Sequence, residues 1–375
     1  MKDRFEVQVC KAYGEGALSD HALGKLEELQ CSFSVIDVSS IAVHMQMGKK
    51  IKSADSKAVF HGAAHQYLEA ARQEYPLISV IVPTHNRANM LCRCIDSILA
   101  QKYQNVEILI VDDCSTDETP TIVKNQYSAL PNVIYSRNET NLGPGGSRQK
   151  GYQSAKGKFI VFMDDDDFYI EPSFFIKASA LFLEYPSVSI VGSNSVIYDV
   201  GKKKLLFEPL SFCGVMKKEQ YLLGFSSKYK KPNSTFPTMF RKAALDLAGF
   251  SEMWMMNDTS IYLRASCYGD ACMIKDWVGV YLVHETNISK SLPHRFILEN
   301  LEEKWNIYQI AQEQIRCPLD EWYYSQLMTT ITYYLRSDRI SFYKLLSLMA
   351  WILKKGAGAK KRLLMDTLKY RYKVL

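Results

Sequence analysis

The stretch Leu77-Ile-Ser-Val-Ile-Val82 is a nearly continuous run of apolar, mostly β-branched residues. Such a run is typical of a strand that is buried on both faces of a sheet. A second run of this kind, Val106-Glu-Ile-Leu-Ile-Val111, follows after a segment with apolar residues at helical spacing. Those apolar residues are Leu91, Cys94, Ile95, Ile98 and Leu99. The order strand, helix, strand predicts a parallel pair with a right-handed crossover, the building unit of an α/β fold.

The same pattern continues downstream. A capping-box pair, Ser115 and Glu118, predicts the start of the next helix. Val133-Ile-Tyr135 predicts a third strand, and a glycine-rich turn at Gly143 opens another helix. Phe159-Ile-Val-Phe-Met163 predicts a fourth buried strand. In α/β sheets of this kind, ligands bind at the carboxyl ends of the strands.

Bulk properties narrow the class of protein. With 375 residues, 47% hydrophobic and 23% charged, the chain can bury a large core, and its net charge of +6 is too small to predict a nucleic-acid partner. The nine cysteines form no C-x-x-C pair, which favours reduced thiols in a cytoplasmic protein. We expect no signal peptide at the N-terminus. We also expect no membrane span, because the longest apolar run, near Leu345 to Leu353, is shorter than the roughly 20 residues a spanning helix needs.

Three regions are expected along the chain. Residues 1–75 form an N-terminal accessory region without a recognisable chemical motif, although Phe33-Ser-Val-Ile-Asp-Val38 and the helix-like stretch Ala63 to Gln73 lie in it. Residues 76–292 form the α/β domain, with an irregular pattern after residue 192. Residues 293–375 read as helical, and their end is basic and amphipathic.

Four consecutive aspartates, Asp164 to Asp167, follow the fourth predicted strand and form the strongest chemical signal. Adjacent carboxylates repel one another unless a cation neutralises them. In an extended segment alternate side chains point to the same side, so Asp164 and Asp166 can share one Mg²⁺ or Mn²⁺ while the ion keeps positions for phosphate oxygens. The plainer alternative is a solvated acidic loop or a helix cap.

Two further motifs end the first two strands. Asp112-Asp113 follows the second strand, where a carboxylate can accept the N3 hydrogen of a uracil ring, although Asp-Asp before a helix is often only a cap. Pro83-Thr-His-Asn-Arg87 follows the first strand, where a loop can hold a base and a ribose.

Taken in order, these motifs resemble the family 2 glycosyltransferases of GT-A fold over about residues 76 to 290. The resemblance is carried by Pro83-Thr-His-Asn-Arg87, Val111-Asp-Asp-Cys-Ser-Thr-Asp117, Asn141-Leu-Gly143 with Arg148, and Phe162-Met-Asp-Asp-Asp-Asp-Phe168. It implies a GT-A-type Rossmann-like α/β sandwich with a mostly parallel central sheet, accompanied by the N-terminal accessory region and the C-terminal helices.

The resemblance also implies roles for individual residues. Pro83 and Asp113 would contact uracil, Arg148 would lie near the donor phosphates, and Asp166 would be the direct metal ligand of a D-x-D pair. The residues assigned to UDP-sugar binding are Pro83, His85, Asn86, Arg87, Asp113, Asn141, Gly143, Arg148, Asp164 and Asp165. The residues assigned to a Mn²⁺ or Mg²⁺ ion are Asp164, Asp166 and His284, the last of which lies in Tyr281-Leu-Val-His-Glu-Thr-Asn-Ile-Ser289.

The catalytic base is assigned from the same resemblance. Family members usually carry Gly-Phe-Asp-Glu followed by Glu-Asp, and this chain has Gly249-Phe-Ser-Glu252 and Asn257-Asp258. Asp258 therefore becomes the expected base, although Asn257 departs from the family's glutamate. The other carboxylates in reach of this role are Asp246, Glu252 and Asp270.

The implied activity is inverting transfer of a hexose or N-acetylhexosamine from a UDP-sugar to an acceptor hydroxyl on a cell-surface polysaccharide, a lipid-linked glycan or a protein glycan. One alternative is a sugar nucleotidyltransferase, which should carry a G-x-G-x-R loop after the first strand, where this chain has no glycine. The other is a non-catalytic module that binds a glycan or a partner protein.

The end of the chain offers two interpretations of its own. Its apolar residues beside many lysines and arginines suit an amphipathic helix on the inner face of an anionic membrane. Alternatively, the apolar side packs on the catalytic domain or on a second subunit, which would make the protein a homo-oligomer. The apolar residues are Leu345, Leu346, Leu348, Met349, Trp351, Ile352 and Leu353.

Overall fold

A computed structural model describes residues 16, 18–31, 75–284, 293–337 and 340–374. The predicted elements Phe33 to Val38 and Ala63 to Gln73, and the part of the His284 segment after residue 284, lie outside these ranges. Among the described helices, none combines the length and the apolar character required to cross a bilayer.

Ten strands and twelve α-helices make up the described part of the chain. The strands are β1 (Ile78–Thr84), β2 (Val106–Asp112), β3 (Val133–Arg137), β4 (Phe159–Phe162), β5 (Phe168–Tyr169), β6 (Val188–Asp199), β7 (Lys204–Leu206), β8 (Gly214–Met216), β9 (Thr238–Arg241) and β10 (Asp270–Val283). The helices are α1 (Asp20–Cys31), α2 (Ala88–Leu99), α3 (Thr119–Tyr127), α4 (Gly143–Ser154), α5 (Phe174–Glu184), α6 (Lys218–Gly224), α7 (Lys242–Leu247), α8 (Asp258–Cys267), α9 (His294–Gln314), α10 (Asp320–Ser337), α11 (Phe342–Lys355) and α12 (Lys360–Val374).

All ten strands join one sheet, along which the order is β3-β2-β1-β4-β9-β6-β10-β5, with β7 beside β6 and β8 beside β10. β1 pairs in parallel with β2 and β4, β2 with β3, and β6 with β10. Short β9 is antiparallel to both β4 and β6, so β6 and β10 run in the same direction as the first four strands. The expected mostly parallel α/β sheet followed by C-terminal helices is confirmed.

The continuous apolar runs are explained by cores on both faces of the sheet. In β1, Ile81 faces a core that contains α4, α8 and the C-terminal helices, whereas Val80 and Val82 face a core that contains α2 and α5. Side chains alternate across a strand, so a strand covered on both faces needs apolar residues at every position. A third core packs α1 against β6 and β10 through Ala22 and Leu26, together with Leu18 just before the helix.

Two expectations about local structure were wrong. Ser115 and Glu118 form no capping box: helix α3 begins at Thr119, whose amide donates to Asp117 Oδ1 (3.0 Å). Ser115 is occupied elsewhere, since its amide donates to Asp112 Oδ1 (2.8 Å) and its hydroxyl accepts from the Asn86 amide (2.9 Å). The stretch after residue 192 is also less irregular than expected, since β10 runs for 14 residues. It contains polar and charged residues such as Lys275 and Asp276, which hide its strand pattern.

Candidate active site

The predicted motifs meet at one edge of the sheet, because each follows the carboxyl end of a strand that runs in the common direction. β1 ends at Thr84, β2 at Asp112 and β4 just before the aspartate run, while β10 brings His284 to the same place. Pro83 is buried in the β1 ladder opposite Val111. This convergence is the arrangement expected for a ligand site in an α/β sheet.

The loops after β1 and β2 are joined through Asn86. This residue adopts a left-handed conformation (φ 54°), which asparagine tolerates better than most residues. Its Oδ1 accepts from the amides of Thr116 (2.7 Å) and Asp117 (3.3 Å). His85 Nδ1 bonds to the Asp113 carbonyl oxygen (2.8 Å), and the Asp113 amide donates to the Thr84 carbonyl (2.8 Å). His85 and Asn86, predicted to bind donor, thus also hold the two loops in place.

Asp113 is held in place by hydrogen bonds from its neighbours. It is buried, and its Oδ1 accepts from Asn138 Nδ2 (2.8 Å) and from the Leu142 amide (2.8 Å). Within residues 75–284 these two bonds both fall on Oδ1, so Oδ2 remains available to a ligand. Asp112 has a structural role, since its carboxylate accepts hydrogen bonds from the Ser115 amide and from the Tyr135 hydroxyl (2.6 Å).

The loop before α4 completes this side of the site. Asn141 Oδ1 accepts from the amide of Gly143 (3.0 Å), the first residue of α4. Gly143 has φ 72°, a conformation that favours glycine. The N-terminus of α4 therefore lies beside Asp113, and the positive end of the helix dipole there favours a negatively charged group.

The aspartate run forms a turn and not the extended segment expected from the sequence. The Asp167 amide donates to the Asp164 carbonyl (3.2 Å), so alternate carboxylates do not share one side in the way predicted. Asp165 accepts from Thr84 Oγ1 (2.7 Å), and Asp167 Oδ1 accepts from the Leu282 amide of β10 (3.2 Å). The four carboxylates point to different partners, and the turn is tied to β1 on one side and β10 on the other.

Two arginines neutralise this turn. Arg87 Nη1 lies 2.9 Å from Asp165 Oδ1 and 2.8 Å from Asp166 Oδ2. Arg148, which is buried, pairs with Asp164. Burial raises the pKa of Asp165 to about 6, against the opposing effect of Arg87, and burial raises the pKa of Asp167 well above its usual range. The turn is thus a place where additional positive charge is favourable.

Asp166 and His284 form a pair that suits a divalent ion. His284 Nε2 lies 2.9 Å from Asp166 Oδ2. Two ligands about 2.1 Å from one ion and at right angles to each other lie about 3 Å apart, so this spacing fits joint coordination. Carboxylate oxygen and imidazole nitrogen are both ligands that Mn²⁺ accepts. Nowhere in the described ranges do three or more His, Cys, Asp or Glu side chains cluster as a ready metal cage.

Asp258 lies beside the same turn. It is the first residue of α8, whose N-cap Asn257 accepts from the Ser260 amide (3.0 Å). Arg148 Nη1 lies 3.6 Å from Asp258 Oδ1 while its other nitrogen pairs with Asp164, and Lys231 Nζ lies 3.7 Å from Asp258 Oδ2. The asparagine that departs from the family pattern therefore has a capping function here.

The three other carboxylates considered for the base have different surroundings. Asp246 accepts from the Tyr152 hydroxyl (2.6 Å) and pairs with Lys242, and Glu252 is exposed in a 3₁₀ turn. Asp270 lies beyond the opposite end of α8, where it accepts from Ser187 and Lys217. A helix of ten residues is about 15 Å long, so Asp270 is remote from the aspartate turn.

Sequence reasoning missed Asn138 and Lys231. Asn138 follows β3 as an isolated asparagine, and its role depends on the Asp113 carboxylate of the neighbouring loop. Lys231 lies in a segment with several lysines, and only the fold distinguishes it as the one beside Asp258. No motif in the sequence marks either residue.

Comparisons with known proteins show which family the α/β region resembles. Residues 79–246 match the family described as Glycosyl transferase family 2. The chain is 28% identical over 192 residues to the GalNAc(5)-diNAcBac-PP-undecaprenol beta-1,3-glucosyltransferase of Campylobacter jejuni, covering 50% of this chain and 59% of that protein. It is 27% identical over 215 residues to glycosyltransferase GlyA of Streptococcus pneumoniae, covering 51% of this chain and 30% of that protein. The chain thus spans less than two thirds of either relative.

A solved structure has the same fold. The crystal structure of S. aureus TarS 1-349 in complex with UDP-GlcNAc aligns with a TM-score of 0.51 and 18% identity, over 80% of this chain and 90% of that one. The family match, the two relatives and this GT-A-type fold point the same way: residues 79–246 of the chain carry a glycosyl transferase family 2 domain.

Proposed function

We propose that this protein is an inverting hexosyltransferase that moves a hexose or N-acetylhexosamine from a UDP-sugar to an acceptor hydroxyl. The observation that carries the proposal is the position of Arg148, whose guanidinium contacts both Asp164 of the aspartate turn and Asp258 at the start of α8. A cation between two carboxylates can stabilise negative charge on a leaving group while a nearby carboxylate takes a proton.

The uridine half of the donor would lie against the loops after β1 and β2. Asp113 Oδ2 is in a position to accept the N3 hydrogen of uracil, since its other oxygen is already bonded. Pro83, His85 and Asn86 would line the base and ribose. The diphosphate would then lie toward the N-terminus of α4 and Arg148, with Asn141, Gly143, Arg87 and Asp165 around it.

A Mn²⁺ or Mg²⁺ ion fits the remaining donors. Asp166 and His284 would hold it, with Asp164 close by and the other positions left to phosphate oxygens and water. When bound, the ion supplies positive charge that stabilises the leaving diphosphate. Arg87 would then give up its contact with Asp166, keep the one with Asp165 and become able to contact a phosphate.

In the proposed reaction, Asp258 takes the proton of the acceptor hydroxyl as that oxygen forms a bond to the anomeric carbon. The bond from this carbon to the β-phosphate oxygen breaks, and UDP leaves with the bonding electron pair. Arg148 compensates the charge on the diphosphate. The displacement inverts the anomeric configuration and needs no covalent enzyme intermediate.

The relatives indicate the range of donors and acceptors to test. The C. jejuni protein is named for glucosyl transfer to a lipid-linked glycan, and the TarS structure holds UDP-GlcNAc. We therefore propose a glycan acceptor, either polysaccharide, lipid-linked or attached to protein. The catalytic unit is proposed to be residues 76–292, completed by the helices of residues 293–375, whose buried side chains share a core with the sheet.

The test is release of UDP from UDP-glucose, UDP-galactose and their N-acetyl counterparts, with Mn²⁺ and with EDTA. We expect slow, Mn²⁺-dependent hydrolysis of at least one donor, as water substitutes for the acceptor. Folded protein that releases UDP from none of them would favour the alternative of a non-catalytic binding module. Formation of UDP-sugar from UTP and a sugar phosphate would favour a nucleotidyltransferase instead.

A further inference from the structure

We propose that helices α11 and α12 bind the surface of an anionic lipid bilayer. The surface concerned, called here the hairpin surface, consists of the exposed apolar residues of these two helices and the basic residues beside them. The apolar residues are Phe342, Tyr343, Leu346, Leu353, Met365, Leu368 and Tyr372. Of these residues, the sequence pattern alone had suggested only Leu346 and Leu353.

Helix α11 has two apolar faces, and only one is covered. Leu348 and Ile352 are fully buried in the main core, and Leu345 and Trp351 pack against it. Four other apolar side chains of α11 are left on the solvent side, where Phe342 is 69% and Tyr343 82% exposed. Phe342, Leu346 and Leu353 are separated by four and seven residues, which places them along one stripe of the helix.

Helix α12 repeats this arrangement. Leu363 and Thr367 are buried, whereas Met365, Leu368 and Tyr372 are exposed at intervals of three and four residues. Tyr372 is 84% exposed, the largest value for any of the seven. Monomeric proteins rarely expose so many large apolar side chains on two consecutive helices without a partner.

The two helices form an antiparallel hairpin. A turn at residues 356–359 joins them, and at the other end Arg371 Nη2 donates to the carbonyl oxygen of Ile340 (3.0 Å), two residues before α11 begins. This bond brings the end of α12 to the start of α11. Tyr372 therefore lies at the same end of the hairpin as Phe342 and Tyr343, so three aromatic residues of the hairpin surface are grouped there.

Charge identifies an anionic bilayer as the occupant. Residues 340–375 contain nine basic residues and one acidic residue, a net charge of +8, whereas the rest of the chain has a net charge of −2. Lys344, Lys354, Lys361 and Lys369 are exposed. Lysines and arginines beside exposed aromatic and aliphatic side chains are the composition that favours the interface of an acidic membrane.

The same charge argues against a second copy of this chain as the occupant. In a two-fold dimer built on this hairpin, each patch would face its own image, so basic residues of one subunit would meet those of the other. Like charges brought together at an interface oppose association. A bilayer that contains acidic lipids has the opposite charge and an apolar interior, and it satisfies both features of the surface.

The test is co-sedimentation of the full chain with vesicles of phosphatidylcholine alone or of phosphatidylcholine mixed with phosphatidylglycerol. We expect binding to the mixed vesicles, with affinity falling on the order of fivefold for each lysine removed in K344Q, K354Q and K361Q. The triple variant F342S/L346S/L353S should lose about tenfold or more in affinity. L247S, which removes a leucine of α7 that is 69% exposed, is the matched control and should bind like the unchanged chain.

Circular dichroism establishes that each variant is folded. UDP-sugar hydrolysis should be the same in every variant as in the unchanged chain, because none of these residues touches the candidate active site. Absence of binding to mixed vesicles overturns the proposal, as does equal binding by the triple variant and L247S. A concentration-dependent dimer that the triple variant abolishes, without vesicle binding, would also overturn it and identify a second copy as the occupant. Failure of UDP-sugar hydrolysis would bear on the proposed activity alone, since vesicle binding needs no donor.

Discussion

At the scale of single residues, the candidate active site is organised around Arg148. This guanidinium contacts carboxylates from two distant parts of the chain, Asp164 after β4 and Asp258 at the start of α8, and it also donates to the Met256 carbonyl oxygen (2.8 Å). The loops that would hold uridine are fixed separately by Asn86 and Asn138. The proposed chemistry therefore depends on a few side chains whose own positions are set by hydrogen bonds.

The proposed base gives the first prediction. Asp258→Asn keeps the size of the side chain but removes its ability to take a proton, so UDP release should fall roughly 10²- to 10⁴-fold while the KM for the donor changes little. Steady-state kinetics with the best donor from the screen measure both quantities. Asp246→Asn, which changes a carboxylate bonded to Tyr152 and Lys242, is the control and should keep its turnover. Undiminished turnover in Asp258→Asn would eliminate it as the base.

The proposed metal ligand Asp166 gives the second prediction. Asp166→Ala removes the carboxylate nearest His284, and we expect UDP release at saturating Mn²⁺ to fall on the order of 10²-fold or more. Titration of Mn²⁺ followed by electron paramagnetic resonance should show weakened binding, while the melting temperature stays close to that of the unchanged chain. Asp276→Ala, which removes a carboxylate paired with Lys177 elsewhere, serves as control. Mn²⁺ binding that survives in Asp166→Ala would place the ion elsewhere.

At the scale of elements, helix α9 carries an unusual buried group. Lys304 is 4% exposed, and its ammonium donates to the carbonyl oxygen of Gln326 in α10 (2.5 Å). Burial lowers the pKa of Lys304 to about 7. The neighbouring residue Glu303 is buried as well, but it forms a paired contact with Arg264 of α8. α9 thus packs with two ionisable groups in the core, only one of which has a partner of opposite charge among the described residues.

Lys304 makes stability depend on pH. Its folded pKa of about 7 is below the value of 10.5 expected when unfolded, so between these values the unfolded chain binds more protons, and the free energy of unfolding rises with pH. The free-energy cost of burying the charged ammonium is fully present below pH 7. It is of the order of a few kcal/mol, since one pKa unit corresponds to about 1.4 kcal/mol. Lys304→Met should therefore raise the free energy of unfolding at pH 7 and flatten its rise toward pH 10.

Urea unfolding from pH 6.5 to 10 measures this difference. Lys124→Met, which replaces an exposed lysine in α3, is the control and should follow the unchanged chain at every pH. A Lys304→Met protein that is less stable at pH 7, or whose pH profile keeps the original slope, would show that the ammonium is accommodated without the inferred cost.

At the scale of the whole molecule, the C-terminal helices are linked to the candidate active site through α8. Arg264 of α8 makes a two-pronged contact with Glu303 of α9, and it also donates to the Ala248 carbonyl oxygen (2.6 Å). The same helix α8 begins with Asp258. The helical region is therefore part of the structure that positions the proposed base, and the hairpin surface extends from that same region.

The buried pair gives the last prediction. Arg264→Met leaves Glu303 as an uncompensated buried charge and should lower the free energy of unfolding by roughly 3–5 kcal/mol. The double variant Arg264→Met/Glu303→Met removes both charges and should recover most of that loss. Urea unfolding of both variants and of Glu303→Met completes the cycle. Equal losses in the single and double variants would show that the pair contributes by packing rather than by charge.

The parallel strands and the position of the candidate site could be predicted from local patterns in the sequence. The apolar runs at residues 77–82, 106–111 and 159–163 predicted buried parallel strands, because only a strand covered on both faces requires apolar residues at consecutive positions. The motifs after those strands indicated the site, because parallel strands bring their carboxyl ends to one edge. Most of strand β10 escaped prediction, since its bulges and its partly exposed polar stretch around Lys275 disturb the alternation that marks a strand.

Contacts between distant segments decided the rest. Side chains from different strands and helices meet in the site, and their spacing along the chain does not predict that they meet. Examples are the turn of Asp164 to Asp167, the pairing of Arg87 with two of these aspartates and the approach of Arg148 to Asp258. At the end of the chain, too, the sequence predicted one property and tertiary contacts decided another. Its composition predicted an amphipathic, basic segment. A helix with two apolar faces can bury either one, so only the packing against the core decided which face is buried. In the structure Leu348 and Ile352 are buried, whereas Phe342 and Tyr372 face solvent.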